Sequence, residues 1–337
     1  MARTSTIGSG SRNYATIDLW WASIPATLTQ DEIGEMYNDS ELVATATISL
    51  TGKTLAGFTI TLRAAAGQGF AAAAGGAGFK LQYDATQGAA VTSSTGYIRP
   101  LISAPQAGLT IDGLQFRTTT SNSTTVVLDS GATIKNCIID CACAVGGSSP
   151  PRLALSVSNS ASKAINCLIV ARHATDGSGV FVDYGPLVLN CTAVKPSSVG
   201  ASGTGFIEGG GTSVNIVRNC ASFNFTTAFT STGWESSSNY NCAGDATAPG
   251  ANSQQSKTYA NQFQDTTQDW RLKTGADCID HGNTDATNAP NDIIGTVRGA
   301  TTLGDIGAWE YAVAAGGGWT GLLARNANRL VMPSNDM

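Results

Sequence analysis

Charge is scarce in this chain. Asp, Glu, Lys and Arg make up 13% of its 337 residues, and the 19 basic residues stand singly against 24 acidic ones, for a net charge of -5. No basic cluster interleaved with aromatics exists to neutralise a row of phosphates, which argues against a nucleic-acid partner. Long apolar runs are missing too: no 18 consecutive apolar residues occur, so no membrane-spanning helix is expected. Met-Ala-Arg-Thr-Ser-Thr lacks the apolar core of a secretory signal, and the expectation is a soluble chain made in the cytoplasm. There are two histidines, His173 and His281, and no G-x-S-x-G elbow, so a hydrolytic triad is not expected. Gly52-Lys53-Thr54 has Thr47 where a phosphate loop needs glycine. Cys141 and Cys143 form only C-x-C, without a second pair at ligand spacing, so no zinc and no other cofactor is expected.

What the chain does have is small residues and a repeated phrase. An apolar or small run, Asn-Cys, and another such run recur at Asn136-Cys137, Asn166-Cys167, Asn190-Cys191, Asn219-Cys220 and Asn241-Cys242, with Asp112-Gly113 as an earlier relative. The successive spacings are 24, 30, 24, 29 and 22 residues. Self-similarity at this period on runs of four to six residues rich in Val, Ile and Thr excludes paired helices and predicts one β-solenoid coil per repeat. Equivalent residues then stack in files about 4.8 Å apart. Each Cys is expected to point inward onto the next Cys, as a buried free thiol, with the Asn amide bonding to its neighbours at a corner.

Four segments are expected. Residues 1–40 form an arm and a cap, with a short helix over Tyr14 to Ser23, Thr16 as its N-cap, and Pro25 beyond it. Residues 29–38 suit helix and strand about equally, strand being preferred. Residues 41–258 carry the coils, starting with Val43 to Leu50 and Phe58 to Leu62, and the Ala/Gly tract Ala64 to Gly78 is a loop packed against them. Residues 259–311 supply a last coil and closing cap, and residues 312–337 a hinge and docking tail. The variable loops Ala142 to Pro151, His173 to Ser178, Ser197 to Gly205 and Asn224 to Trp234 are where a functional surface would be built.

The stretch Asp269-Trp-Arg-Leu, Asp280-His-Gly282, Asp292-Ile-Ile-Gly295, Arg298 and Asp305-Ile-Gly307-Ala308-Trp309-Glu310-Tyr311 resembles the closing segment of right-handed parallel β-helix proteins of the pectate-lyase-like kind. The resemblance implies an all-β, single-stranded right-handed parallel β-helix, to which the residues themselves add a short capping helix in front and an extended tail behind. It implies no activity, since surface proteins, polysaccharide-active enzymes and phage particle proteins share it. In the cap, Asp305 or Glu310 is expected to pair with Arg298, tying the last coil down while Trp309 covers its apolar end. Ser11 to Trp20, Glu35 to Asp39 and Leu62 to Gly67 are similar to β-helix proteins of tailed phages and prophages.

The coil acids Asp140, Asp176, Asp183, Glu208 and Glu235 stand one per coil or fewer, whereas glycoside hydrolysis needs two carboxylates about 5 to 10 Å apart. Asp183 and Glu208 could meet only by stacking across coils, with Tyr184 or Trp234 holding a sugar face. Asp280 to Asp285 lacks the calcium-loop pattern and reads as a turn. In the tail, Gly316 to Gly318 hinge to Trp319, Leu322, Leu323, Arg325, Arg329 and Leu330, side chains of the kind that dominate interfaces. The expected function is a non-enzymatic structural protein of a phage particle, a capsid decoration protein or a spike or fibre subunit. Its expected partners are other virion proteins, the major capsid protein among them, and further copies of itself, a trimer being favoured. A polysaccharide-binding or depolymerising spike on the host surface is the alternative, and a cell-surface adhesin the third.

Overall fold

The computed structural model describes residues 1–74, 79–93, 100–119, 124–142, 152–173, 177–210, 214–230, 232–298 and 303–311. Over these residues the chain winds as a parallel β-helix. A first sheet runs from Arg3–Ile7 to Ile216–Arg218 in eight strands, a second from Leu42–Ala44 to Cys242–Ala243 in eight, and a third from Ile48–Ser49 to Thr227–Phe229 in seven. Within each sheet the strands follow chain order and pair in parallel with the counterpart one coil away. Alternation decides which side chains face in. Ile111, Ile134, Ala164, Val188 and Val217 share one register and are buried inside, while Glu35, Arg63, Asp112 and Lys135 form a file of alternating sign outside.

The corner between the first and second sheets explains the repeated phrase. Gly113, Asn136, Asn166, Asn190, Asn219 and Tyr240 occupy it, all with φ between 51° and 71°. That left-handed backbone costs an ordinary L-residue about 1–2 kcal/mol, and Asn and Gly tolerate it best. The next residue turns inward, giving the buried file Leu114, Cys137, Cys167, Cys191, Cys220 and Asn241. Two copies of the phrase are therefore one residue out of step with the others. Gly113, not Asp112, matches Asn136, and Tyr240, not Asn241, matches Asn219, so Asn241 points inward and Cys242 outward. A one-residue slip exchanges the faces of a strand.

The coil begins earlier than expected. Arg3–Ile7 is a strand, not an arm, and Glu32–Met36 lies between it and Ile60–Ala64, so the boundary at residue 41 has no counterpart. An end strand needs few apolar residues when a plug covers it, and here Ile7 and Ser5 face in beneath a helix. That helix is Ile17–Ser23, capped by Thr16, whose Oγ1 accepts the Leu19 N–H at 3.2 Å. Its Trp20 lies so close to Gly34 that a Cβ there would sit 2.7 Å from the indole ring. The Ala/Gly tract holds a one-turn helix, Phe70–Ala73, with Phe70 buried, and residues 75–78 are outside the described residues.

The far end is closed by side chains. Val217, Cys220, Ala228 and Phe229 donate their N–H groups to Ser238 Oγ, Asn241 Oδ1, Asp245 Oδ2 and Thr247 Oγ1 at 2.8–3.1 Å. Ladder donors that would invite another strand are satisfied in this way.

The closing block, residues 259–311, does not cap that end. It folds back along the outer face of the second sheet, burying Ile138, Leu168, Val170, Val194 and Phe223 against Phe263, Trp270, Leu272, Ile293 and Ile306. Each of these side chains contributes roughly 1.5–3 kcal/mol on burial. Trp309 stacks on Phe79, ring centres 6.3 Å apart, beside an early coil rather than over the last one. The second sheet is thus covered on both faces, which is why its strands are buried at every position in Ile138–Cys141 and Leu168–Ala171.

Candidate functional site

The asparagine corner is the dock for the closing block. Asn166 Nδ2 donates to Asn291 O at 2.7 Å, and Asn219 exchanges bonds with Asn283, accepting its N–H at 2.8 Å and donating to its carbonyl. Further along, Lys163 Nζ reaches Asn288 Oδ1 at 3.2 Å, Arg218 pairs with Asp285, and Thr192 Oγ1 accepts the Ala308 N–H at 2.8 Å. Arg298 is buried in the middle of this seam. It bonds Glu310 at 3.1 Å, the carbonyls of Asp305 and Gly307, and Asn166 Oδ1 at 3.2 Å. Its ion partner is therefore Glu310, and it fastens the block to a middle coil, not to the last.

Three carboxyls share that one guanidinium. Asp292 accepts the N–H groups of Ile294, Thr296 and Glu310, and burial pushes its pKa up to about 6. Asp305 accepts those of Asp280 and Tyr311; burial and then the neighbouring Glu310 push it up to about 7. Tyr311, the last described residue, is held to the block, its hydroxyl 2.6 Å from Thr274 Oγ1. Trp319, Leu322, Leu323, Arg325, Arg329 and Leu330 lie outside the described residues.

A belt of charge and rings, invisible in the sequence, borders the block. Asp140 is fully buried on the outer face of the second sheet between Arg117, at 2.6 Å, and Arg172, at 2.9 Å. Arg117 lies over the Tyr83 ring at 4.0 Å, and Arg172 over Trp270 at 5.6 Å. Trp270 Nε1 donates to the Tyr259 hydroxyl at 3.0 Å, and burial pushes the phenols of Tyr83 and Tyr259 up. Lys195 is also fully buried, with Ser202 O 3.2 Å from its Nζ. The strand register puts Arg117 directly beside Asp140.

Asp183 and Glu208 do come to neighbouring coils, since Val182 pairs with Glu208. Each is engaged locally. Asp183 Oδ1 accepts the Tyr184 N–H at 2.9 Å, while Glu208 accepts Asn215 Nδ2 at 2.6 Å and the Gly210 N–H at 2.9 Å. Tyr184 is 59% exposed beside them, and Trp234 pairs with Asn215 and spends its indole N–H on Thr230 O at 2.8 Å. Asp176 and most of the 142–151 loop are outside the described residues. His173 is buried and His281 is exposed, its Nδ1 2.7 Å from Ile279 O. Asp285 caps a turn, accepting the N–H groups of Thr287 and Asn288. A shallow cavity of ≈ 230 Å³ lies among alanines and glycines near Arg63 and Asp112, whose charges are already paired with Glu35 and Lys135.

The thiols Cys137, Cys167, Cys191 and Cys220 stack inside the coil, the Cys191 N–H reaching Cys220 Sγ at 3.4 Å. Burial pushes the first three far up, so they behave as apolar filling. Their asparagine neighbours differ: Asn136 bonds Asp112 at 2.9 Å and Asn166 bonds Asn136 at 3.2 Å, but Asn190 finds no hydrogen-bond partner for its amide among the described residues.

No family profile matches this chain, and no curated protein does. Among solved structures it is similar to the crystal structure of pectate lyase Pel9A, with a TM-score of 0.36 and 13% identity over 92% of this chain and 98% of that one.

Proposed function

We propose that this chain is a non-enzymatic structural protein of a phage particle, a capsid decoration protein or a subunit of an external spike or fibre, docking through its terminal segments. The observation that carries the reading is the engagement of the coil acids. Asp140 is locked between two guanidiniums, and Asp183 and Glu208 are held by backbone and amide donors, so these carboxylates serve the coil itself. Support also comes from Tyr311, which Asp305 and Thr274 hold against the flank; residues 312–337, with Trp319, Leu322, Leu323, Arg325, Arg329 and Leu330, follow from that anchored point. The partners are other virion proteins, the major capsid protein among them, and further copies of the chain as a trimer. Deleting residues 316–337 is expected to abolish incorporation into particles assembled in the host, read by mass spectrometry of purified particles. Normal occupancy in that mutant would refute docking by the tail.

A polysaccharide-binding or depolymerising spike is the second reading. It is favoured by the exposed Tyr184 beside Asp183 and Glu208 on adjacent coils. Release of sugar from host capsule by the purified chain, lost in Glu208→Gln, would move the assignment to this reading.

A further inference from the structure

Cys242 is the one member of the repeated phrase that faces out of the coil. It pairs in register with Ala221, on the face that the closing block covers, and both it and Cys278 are fully buried in that seam. Cys278 approaches from the opposite side. It belongs to a turn whose carbonyl accepts the Ile306 N–H at 2.9 Å, and its thiol lies beside that of Cys242 in one buried cluster. The file thiols differ in geometry. They hang side by side from parallel strands and point the same way, which suits the S–S torsion poorly. Cys242 and Cys278 face each other across an interface, and a turn residue can shift to close the gap where a strand residue cannot.

We infer that Cys242 and Cys278 form a redox-sensitive clasp, in which a disulfide between them locks the closing block onto the last coil. The oxidant is a small-molecule disulfide of the glutathione class. One cysteine, as thiolate, attacks a sulfur of that disulfide, forming a mixed disulfide and expelling one small thiolate. The second cysteine attacks the protein sulfur of the mixed disulfide and expels the other. Two protein thiols lose two protons and two electrons, and one small disulfide becomes two thiols. Because both cysteines are buried, exchange proceeds from molecules whose closing block has opened locally, and reclosure then seals the bond. The clasp would fix the segment that ends at Tyr311, from which residues 312–337 depart.

The test uses the full chain. Native protein is incubated with oxidised glutathione, denatured, alkylated and digested. The expected map links Cys242 to Cys278 and leaves Cys137, Cys167, Cys191 and Cys220 alkylated. Amide hydrogen exchange over residues 263–311 is expected to slow by roughly tenfold or more, reversibly with dithiothreitol, and Cys278→Ser is expected to show no such slowing. Recovery of Cys242 and Cys278 as free alkylated thiols, or linked to other cysteines, would overturn the inference. The wild-type map decides the matter even if Cys278→Ser fails to fold.

Discussion

Four asparagines with the same left-handed backbone use their amides differently. Asn219 binds Asn283 through both ends of its side chain, whereas the Asn190 amide is buried without a partner among the described residues. Glycine keeps the corner conformation in either case, so substitution isolates the amide. Asn219→Gly is expected to lose about 1–3 kcal/mol, because two backbone groups of Asn283 are left unpaired in the seam. Asn190→Gly removes a desolvated amide at the cost of about 0.5–1 kcal/mol of backbone entropy and is expected to be near neutral. Denaturant midpoints check the pair, and equal losses would contradict this account. The phrase was legible because the corner favours Asn or Gly, which hold it in five of six coils, and a thiol fills the next, inward position in four of them. The slip at Asn241 was not, since the letters Asn-Cys are unchanged there. Its cause lies one coil away: with no thiol to follow, the Asn241 amide oxygen takes the Cys220 N–H that a sulfur takes in the coil before.

The second sheet and its cover show where element-level reading stops. Leu168–Ala171 is apolar at every position rather than at alternate ones, a pattern that calls for burial on both faces. That much was in the chain; which segment supplies the cover was not, because the contacts between Phe79 or Ile138 and residues near 270–309 span more than a hundred positions. The cover brings Asp292, Asp305 and Glu310 together around Arg298, with the Cys191 and Cys278 thiols nearby. Asp292 and Asp305 have pKa values raised to about 6 and about 7, above that of an unfolded Asp. Their contribution to holding the block is therefore full below about pH 4 and is lost as pH rises through 6 and then 7. Protection of amides in residues 263–311, corrected for intrinsic exchange, is expected to be lower near pH 8 than near pH 5. Asp305→Asn should flatten the upper part of this slope, at the cost of one acceptor for the Tyr311 N–H. Protection that rises with pH would contradict the assignment.

At the scale of the whole molecule the three flanks are unlike. The first sheet shows water a file of paired charges, and the third a half-buried row including Val127, Phe181 and Ile207, while the second is covered over its middle coils. A chain ending after Lys257 would leave Ile138, Leu168, Val170, Val194 and Phe223 bare. It is expected to bind a hydrophobic dye and aggregate, as followed by light scattering, where the full chain stays dispersed; a monodisperse truncated chain would mean that the coil does not need its cover. Both ends carry stops of their own. At the front, Asn13 and Tyr14 occupy the edge of Arg3–Ile7, and at the back Ser238, Asn241, Asp245 and Thr247 use up the outgoing donors. The winding is thus finite by construction, like a spring ground flat at both tips. Strand-to-strand joining of copies nose to tail is therefore not expected at these positions.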